Sequence, residues 1–147
     1  MKKYLIINGP NLNMVGTREP EKYGTKTLEE IKSYTQRKLS DKDVSLEWYQ
    51  SNIEGEIVGR IQQFIKEDFE ALIINPGAYS HTSVAIYDAL KILTKPIIEV
   101  HLTNIHSREE FRQTLLTGKV ASKIMCGLGQ EAYFLAVLSD YLAEKKQ

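Results

Sequence analysis

The sequence predicts an α/β fold built on a five-stranded parallel sheet. Five short apolar runs, rich in β-branched residues, alternate along the chain with apolar patterns of helical period. Runs of this kind are typical of strands buried on both faces, and strands that alternate with helices form parallel sheets with right-handed crossovers. The 147 residues suit one domain, 1–147, and no linker, repeat or low-complexity segment interrupts the pattern.

The strands are predicted from the apolar runs in chain order. These runs are residues 4–7, 44–48, 69–74, 96–100 and 123–126. In the second run, Val44, Leu46 and Trp48 alternate with polar residues, which indicates an edge strand with one wetter face. Five β–α units in a chain of this length suit the flavodoxin-like three-layer sandwich with strand order 2-1-3-4-5. In that fold, ligands bind beyond the carboxyl ends of the strands, near the switch point between strands 1 and 3.

The helices between these strands are predicted from capping residues and apolar stripes. Thr27 with Glu30 forms a capping box at the first helix, and Ser107 with Glu110 predicts another helix before the last strand. The apolar residues expected on the buried helix faces are Leu28, Ile31 and Leu39, then Ile57, Ile61, Phe64 and Ile65, then Val84, Tyr87 and Leu90, then Phe111 and Leu115, and finally Ala132, Leu135, Leu138 and Leu142.

Composition and charge limit the possible partners. Lys+Arg and Asp+Glu number 19 each, so the formal net charge is +0, whereas nucleic acid and anionic membranes require a basic surface. We therefore expect a small-molecule ligand, with no nucleic acid and no membrane. The single cysteine, Cys126, cannot form an internal disulfide, and the apolar run at residues 4–7 is too short for a signal-peptide core. Both features favour a cytoplasmic protein.

Histidines and amides follow neighbouring strands of the predicted sheet. Strand 1 runs into residues 8–11, strand 3 into residues 75–81, which end in His81, and strand 4 into residues 99–104. Because the carboxyl ends of parallel strands meet at one edge, these residues are expected to converge on one crevice. Glu99 and His101 are two residues apart, so their side chains leave the same face of the strand. The carboxylate can hold the imidazole in one tautomer and stabilise its protonated form.

A long connection follows the first strand. Residues 9–24 show no clear periodicity, and a loop of this length in a compact domain is typical of either a functional lid or a disordered segment. The loop carries Arg18 and Tyr23. On a mobile loop above a ligand crevice, these side chains are candidate catalytic groups.

Other functional classes have weaker support. Residues 127–132 match the loose dinucleotide pattern GxGxxG/A, but they lie in the last unit, with no later strand to supply an acidic ribose ligand, so we interpret them as a tight turn. The sequence contains no GxxxxGK[ST], GxSxG or HExxH motif, and His101 and His106 lack a third metal ligand at standard spacing. A flavodoxin-like nucleotide-binding or signalling module without catalysis is the remaining alternative, although residues 8–10 lack the acidic pocket of a receiver module.

Five motifs, taken together, point to one family. They are Asn8-Gly9-Pro10-Asn11-Leu12-Asn13, Arg18-Glu19-Pro20 with Tyr23-Gly24, Gln50-Ser51-Asn52 with Glu54-Gly55, Asn75-Pro76-Gly77-Ala78-Tyr79 with His81-Thr82-Ser83, and Glu99-Val100-His101. In this order, and over essentially the whole chain, they resemble the type II 3-dehydroquinate dehydratases. The family usually has glycine where Ser122 and Ala132 stand, and serine where Thr103 stands.

The resemblance implies a lyase that converts 3-dehydroquinate to 3-dehydroshikimate in the shikimate pathway, without metal or cofactor. The reaction would be an anti elimination of water through an enolate. Tyr23 would be the base, assisted by Arg18, and Asn75 would stabilise the enolate oxygen. His101, oriented by Glu99, would protonate the departing hydroxyl.

The resemblance also implies substrate-binding residues and an assembly. The residues implied to hold the hydroxyls and carboxylate of the substrate are Asn75, His81, Arg112, the backbone of Leu102 and Thr103, and Asn11. Asp88, on the helix after His81, would reach the site of a neighbouring subunit. The implied assembly is a homododecamer built from trimers.

Overall fold

The computed structural model describes residues 1–17, 21 and 25–143, and it contains a parallel five-stranded sheet. The strands are β1 (Lys2–Asn8), β2 (Val44–Gln50), β3 (Ala71–Asn75), β4 (Ile97–His101) and β5 (Lys123–Cys126). Their order is β2-β1-β3-β4-β5, and every neighbouring pair is parallel. The predicted fold class and strand order are confirmed, and β2 lies at an edge, as its alternating pattern indicated.

Helices cover both faces of this sheet. They are α1 (Leu28–Lys38), α2 (Glu54–Phe64), α3 (Tyr79–Thr82), α4 (Val84–Lys91) and α5 (Ala132–Tyr141). Tyr4 and Ile6 of β1 pack in a core with α1 and α5, whereas Leu5 and Ile7 pack in a second core with α2 and α4. Successive strand residues point to opposite faces, so β1 contributes to both cores. In the part of the chain that is described, no helix is long and apolar enough to span a membrane.

The capping box predicted for the first helix is present. The Thr27 hydroxyl accepts a hydrogen bond from the Glu30 amide at 3.2 Å, and the Glu30 carboxylate accepts one from the Thr27 amide at 3.3 Å. These two bonds satisfy amides that a helix leaves without internal partners, which explains why α1 begins at Leu28.

The prediction of a helix from Ser107 and Glu110 is wrong. This stretch forms three short 3-10 turns, Ile105–Ser107, Glu110–Arg112 and Thr117–Lys119. The Ser107 hydroxyl donates to the Asn104 carbonyl at 2.9 Å instead of capping a helix, and Phe111 is 67% exposed. The side-chain amide of Gln113 donates from Nε2 to the carbonyl of Ile105 at 2.8 Å. Local side-chain bonds of this kind compete with a helical ladder, so the segment stays irregular.

The buried faces of three helices differ in part from the predicted ones. The side chains expected in the core but found exposed are Ile65 (51%), Val84 (58%) and Leu142 (66%). In α5 the predicted Ala132 is buried, and it is joined in the core by Tyr133, Ala136 and Val137, which were not predicted there. Its sequence is apolar on several faces, so periodicity alone does not select one, and the small alanines allow close approach to β3 and β4.

The glycine-containing segment at residues 127–132 is the connection from β5 to α5. Gly127 and Gly129 have φ angles of 82° and 57°, values that glycine adopts without steric cost. The segment therefore forms the tight turn that we inferred in place of a dinucleotide site.

Candidate active site

A cavity opens at the carboxyl edge of the sheet, where β1, β3 and β4 end. The empty space in and above it is about 620 Å³, including open solvent at its mouth. The lining residues are Pro10, Asn11, Leu12, Val15, Asn75, Gly77, Ala78, His81, His101, Leu102, Thr103, Ile105, Arg108 and Arg112. They lie at or beyond the carboxyl ends of these three strands, next to the switch point between β1 and β3, where parallel α/β sheets bind ligands.

Two glycines allow the turns after β1 and β3 to meet at this cavity. The Gly9 amide donates to the Asn75 carbonyl at 2.8 Å, and a Cβ atom on Gly9 would lie 2.3 Å from the Pro76 carbonyl oxygen. Gly77 has a φ angle of 60°. A side chain at either position would therefore separate or strain the two turns.

Glu99 and His101, at the end of β4, form a buried pair. His101 Nε2 lies 2.8 Å from Glu99 Oε2, and the Thr117 hydroxyl donates to Glu99 Oε1. Glu99 is fully buried and His101 is 5% exposed. A carboxylate only accepts hydrogen bonds, so Nε2 carries the hydrogen and Nδ1 is the nitrogen left for a ligand. The spacing of the sequence predicted this pair, but nothing in the sequence indicated Thr117.

His81 follows β3 and presents its imidazole to the same cavity. Its Nδ1 lies 2.8 Å from the Thr114 carbonyl oxygen, which can only accept, so Nδ1 carries the hydrogen and Nε2 of the neutral ring is an acceptor. Burial lowers the pKa of His81, and the nearby His101 and Arg112 add to this effect, although the hydrogen bond to Thr114 opposes it. The neutral ring therefore suits a substrate hydroxyl, which it can accept at Nε2.

We expect the His81 imidazole to titrate below its ordinary pKa of 6.5. Folding disfavours its protonated form, so stability falls as the pH drops below 6.5, until the folded imidazole also becomes protonated. Imidazole NMR signals recorded against pH measure the midpoint, and the spectrum of the His81→Gln variant assigns the signal. A midpoint at or above 6.5 would contradict the expected shift.

Asn75 is the last residue of β3, and both the oxygen and the nitrogen of its side-chain amide form hydrogen bonds. The carboxamide oxygen Oδ1 accepts from the Gly77 amide at 3.2 Å, and Nδ2 donates to the Tyr133 hydroxyl at 3.1 Å. The side chain is 3% exposed and lines the cavity. Among the residues described, the second Nδ2 hydrogen has no partner, so it is available to a ligand. Sequence reasoning did not identify Tyr133 as part of this arrangement.

Two guanidinium groups, which share the single carboxylate of Glu109, leave the Arg108–Arg112 end of the cavity with an excess of positive charge. Arg112 and Arg108 both line it, and Arg112 Nε donates to Glu109 Oε1 at 3.1 Å. Arg108 Nη1 lies 3.5 Å from the Thr103 hydroxyl. Planar guanidinium groups bind carboxylates well, so this end of the cavity suits an anionic ligand. Arg108 was not predicted from the sequence, although its position four residues before Arg112 was a usable signal.

The structure brings together most of the residues predicted for the site. Those that line the cavity are Asn11, Asn75, His81, His101, Leu102, Thr103 and Arg112, and Glu99 contacts His101 from within the core. Asp88 is exposed on α4 and is not a lining residue. Arg18 and Tyr23 lie outside the described residues. Across residues 1–17, 21 and 25–143, no group of three or more His, Cys, Asp and Glu side chains could hold a metal ion.

The chain is similar to known proteins over nearly its whole length. A family model described as Dehydroquinase class II matches residues 2–140. The chain is 49% identical over 148 residues to a 3-dehydroquinate dehydratase of Helicobacter acinonychis, which covers 98% of this chain and 88% of that protein. It is 50% identical over 137 residues to a catabolic 3-dehydroquinase of Debaryomyces hansenii, which covers 93% of this chain and 95% of the relative.

A solved structure gives the same result. The type II dehydroquinase from Butyrivibrio crossotus matches with a TM-score of 0.92 and 39% identity, over 95% of this chain and 97% of that one. The resemblance inferred from the strand-end motifs is therefore confirmed. Because the family match and the relatives span nearly all of the sequence, the chain belongs to the class II dehydroquinases.

Proposed function

We propose that this protein is a dehydratase that converts 3-dehydroquinate to 3-dehydroshikimate in the shikimate pathway. Its membership of the family and its 49% identity to a named 3-dehydroquinate dehydratase support this activity. The structural observation that carries the proposal is the buried Glu99–His101 pair, which leaves Nδ1 of an oriented imidazole at the cavity. A hydroxyl leaves a carbon skeleton readily only when an acid protonates it, and this imidazole can be that acid.

The elimination needs a base, an oxyanion stabiliser and an acid. Tyr23, as a phenolate, takes the proton beside the ketone, and the electron pair moves onto the ketone oxygen to form an enolate. The free Nδ2 hydrogen of Asn75 stabilises that oxygen. The enolate then collapses, the carbon–oxygen bond breaks on the opposite face, and His101, acting as the imidazolium that Glu99 stabilises, donates its Nδ1 proton so that water leaves. Tyr23 ends as a phenol and His101 as a neutral imidazole, and loss of a proton from the first and uptake of one by the second restore both groups without metal or cofactor.

The base role of Tyr23 rests on the family resemblance and on simple chemistry. A phenol has an ordinary pKa of about 10 and is a weak source of base at neutral pH. A neighbouring guanidinium favours the phenolate, which gives Arg18 its proposed role. The family match supports both assignments, because it spans the segment that contains these residues.

The remaining polar groups of the cavity bind the substrate. Arg112 suits the carboxylate, and His81 Nε2 accepts from a hydroxyl. Leu102, Thr103 and Asn11 also border the cavity, and we assign the backbone of the first two and the side chain of Asn11 to the substrate. These assignments account for a ligand that carries one carboxylate and several hydroxyls.

The activity is tested by mixing the purified protein with 3-dehydroquinate and following the absorbance of the conjugated product. We expect turnover without added NAD. Chelators should not abolish the activity, and neither should borohydride added with substrate, because the proposed route uses neither a metal nor a lysine imine. Absence of turnover together with tight nucleotide binding would instead support a non-catalytic flavodoxin-like module.

We further propose that the protein works in the cytoplasm as one catalytic domain, 1–147, assembled into a dodecamer built from trimers. Asp88 lies exposed on α4 and away from the cavity of its own chain. It is therefore better placed to reach a neighbouring copy, which a closed three-fold ring allows.

Sedimentation at assay concentration is expected to show a large homo-oligomer. Asp88→Ala should lower activity and weaken assembly, because it removes a polar contact between subunits. Asp68→Ala, which removes a carboxylate after α2, is the control and should change neither. A fully active monomer of 16.8 kDa would contradict the proposed assembly.

A further inference from the structure

We propose that Tyr133 and Asn8 are positioning residues that fix the Asn75 carboxamide with an Nδ2 hydrogen available to the reacting oxygen. The three side chains form a buried hydrogen-bonded chain behind the cavity. The proposal rests on the oxyanion role proposed for Asn75, and it adds two residues that do not themselves border the cavity.

One backbone amide determines which group donates and which accepts in each of these hydrogen bonds. The Gly77 N–H can only donate, so the Asn75 atom that it contacts at 3.2 Å must be the carboxamide oxygen. Nδ2 is then the atom 3.1 Å from the Tyr133 oxygen, and it can only donate to it. The Tyr133 hydroxyl must therefore use its own hydrogen elsewhere, and it donates to Asn8 Oδ1.

The arrangement has little freedom to change. Asn8, Asn75 and Tyr133 are 1%, 3% and 0% exposed, and a polar group buried without a partner destabilises the fold. Burial also raises the pKa of Tyr133, so its phenol keeps the hydrogen that Asn8 accepts. The Tyr133 ring packs against Trp48, with the ring centres 5.3 Å apart.

The fold brings these groups together from distant parts of the chain. Asn8 ends β1 and Asn75 ends β3, and the two are directly paired in the sheet. Tyr133 is the second residue of α5 and spans both strand ends with one hydroxyl. Among the described residues, the Tyr133 hydroxyl is the group that accepts a hydrogen bond from Asn75 Nδ2.

Loss of this hydroxyl has a direct consequence for the cavity. Without it, Asn75 Nδ2 has no acceptor among the residues that the structure describes, and the Gly77 contact is what still opposes rotation of the amide there. A rotated carboxamide presents its oxygen, rather than an N–H group, to the developing enolate. Stabilisation of the enolate is then lost, whereas substrate binding in the ground state is little affected.

The test is the Tyr133→Phe variant, which removes only the hydroxyl. Removing a whole oxyanion donor costs about 10²–10³ in kcat, so misorienting one is expected to lower kcat by about tenfold, with KM changed by less than about threefold. Tyr4→Phe is the matched control. Tyr4 is also fully buried, in the same core, and donates to Asp140 at 2.9 Å near the opposite end of β1. The Tyr4→Phe variant should be less stable than the wild type and should keep the wild-type kcat.

A double-mutant cycle separates positioning from a merely structural role. If Tyr133 acts through Asn75, Tyr133→Phe should have no further effect on kcat in the Asn75→Ala background. The inference is overturned if the two effects multiply, or if Tyr133→Phe alone keeps wild-type kcat while Asn75→Ala is impaired. Wild-type kcat in Asn75→Ala would instead overturn the role of Asn75, and the inference with it. If Tyr133→Phe does not fold, Asn8→Ala decides the same questions.

Discussion

Replacement of His101 by alanine is expected to lower kcat by about 10²–10⁴-fold, the usual contribution of a general acid. Without the imidazole, the hydroxyl must leave unprotonated, while Arg112 and Asn75 still bind the substrate. KM should therefore change much less than kcat. Steady-state kinetics measure both constants, and the affinity of a product-like inhibitor should survive in part.

The matched control is His106→Ala, because His106 is an exposed histidine in the turn after β4. It should retain wild-type kinetics. Glu99→Gln tests the orienting carboxylate, since glutamine keeps the shape but removes the charge that faces His101 Nε2. We expect its kcat to lie between those of the wild type and His101→Ala. An unchanged kcat for His101→Ala at neutral pH would remove His101 from the acid role.

Tyr23→Phe is expected to have an effect of similar size, lowering kcat by about 10²–10⁴-fold, because it removes the proposed base and keeps the aromatic ring. KM should change little. Tyr87→Phe is the control for loss of a phenol, since Tyr87 is half-buried on α4 and is not a lining residue of the cavity. Near-wild-type turnover of Tyr23→Phe would mean that another group removes the proton.

Arg18→Ala separates a role in charge stabilisation from the role of the base itself. If Arg18 favours the phenolate, its loss leaves Tyr23 protonated at neutral pH, and kcat should fall by a comparable factor. Raising the pH toward the ordinary tyrosine pKa of about 10 restores phenolate, so the kcat of Arg18→Ala should rise relative to that of the wild type at the same pH, whereas the relative kcat of Tyr23→Phe should not. Equal pH profiles for the two variants would contradict this division of roles.

The sequence by itself was sufficient for the sheet topology and for one pair of side chains in the candidate active site. Strand runs and helix patterns are local, so the strands and the start of α1 at the Thr27–Glu30 box followed from near neighbours in the chain, and the sheet order followed from the alternation of strands with helices. Glu99 and His101 were predictable for the same reason, because side chains two residues apart on a strand share a face. The strand-end motifs predicted where the cavity would lie.

Only the tertiary structure decided what holds these groups in place. Thr117 reaches Glu99 across 18 residues, Tyr133 reaches Asn75 across 58, and Tyr133 reaches Asn8 across 125. No local periodicity records such pairings. The same limit explains the error at Ser107, where side chains of the turn satisfied the backbone, and the uncertain face of α5. Each outcome depends on which distant groups compete for a hydrogen bond or a place in the core, and that competition exists only once the chain is folded.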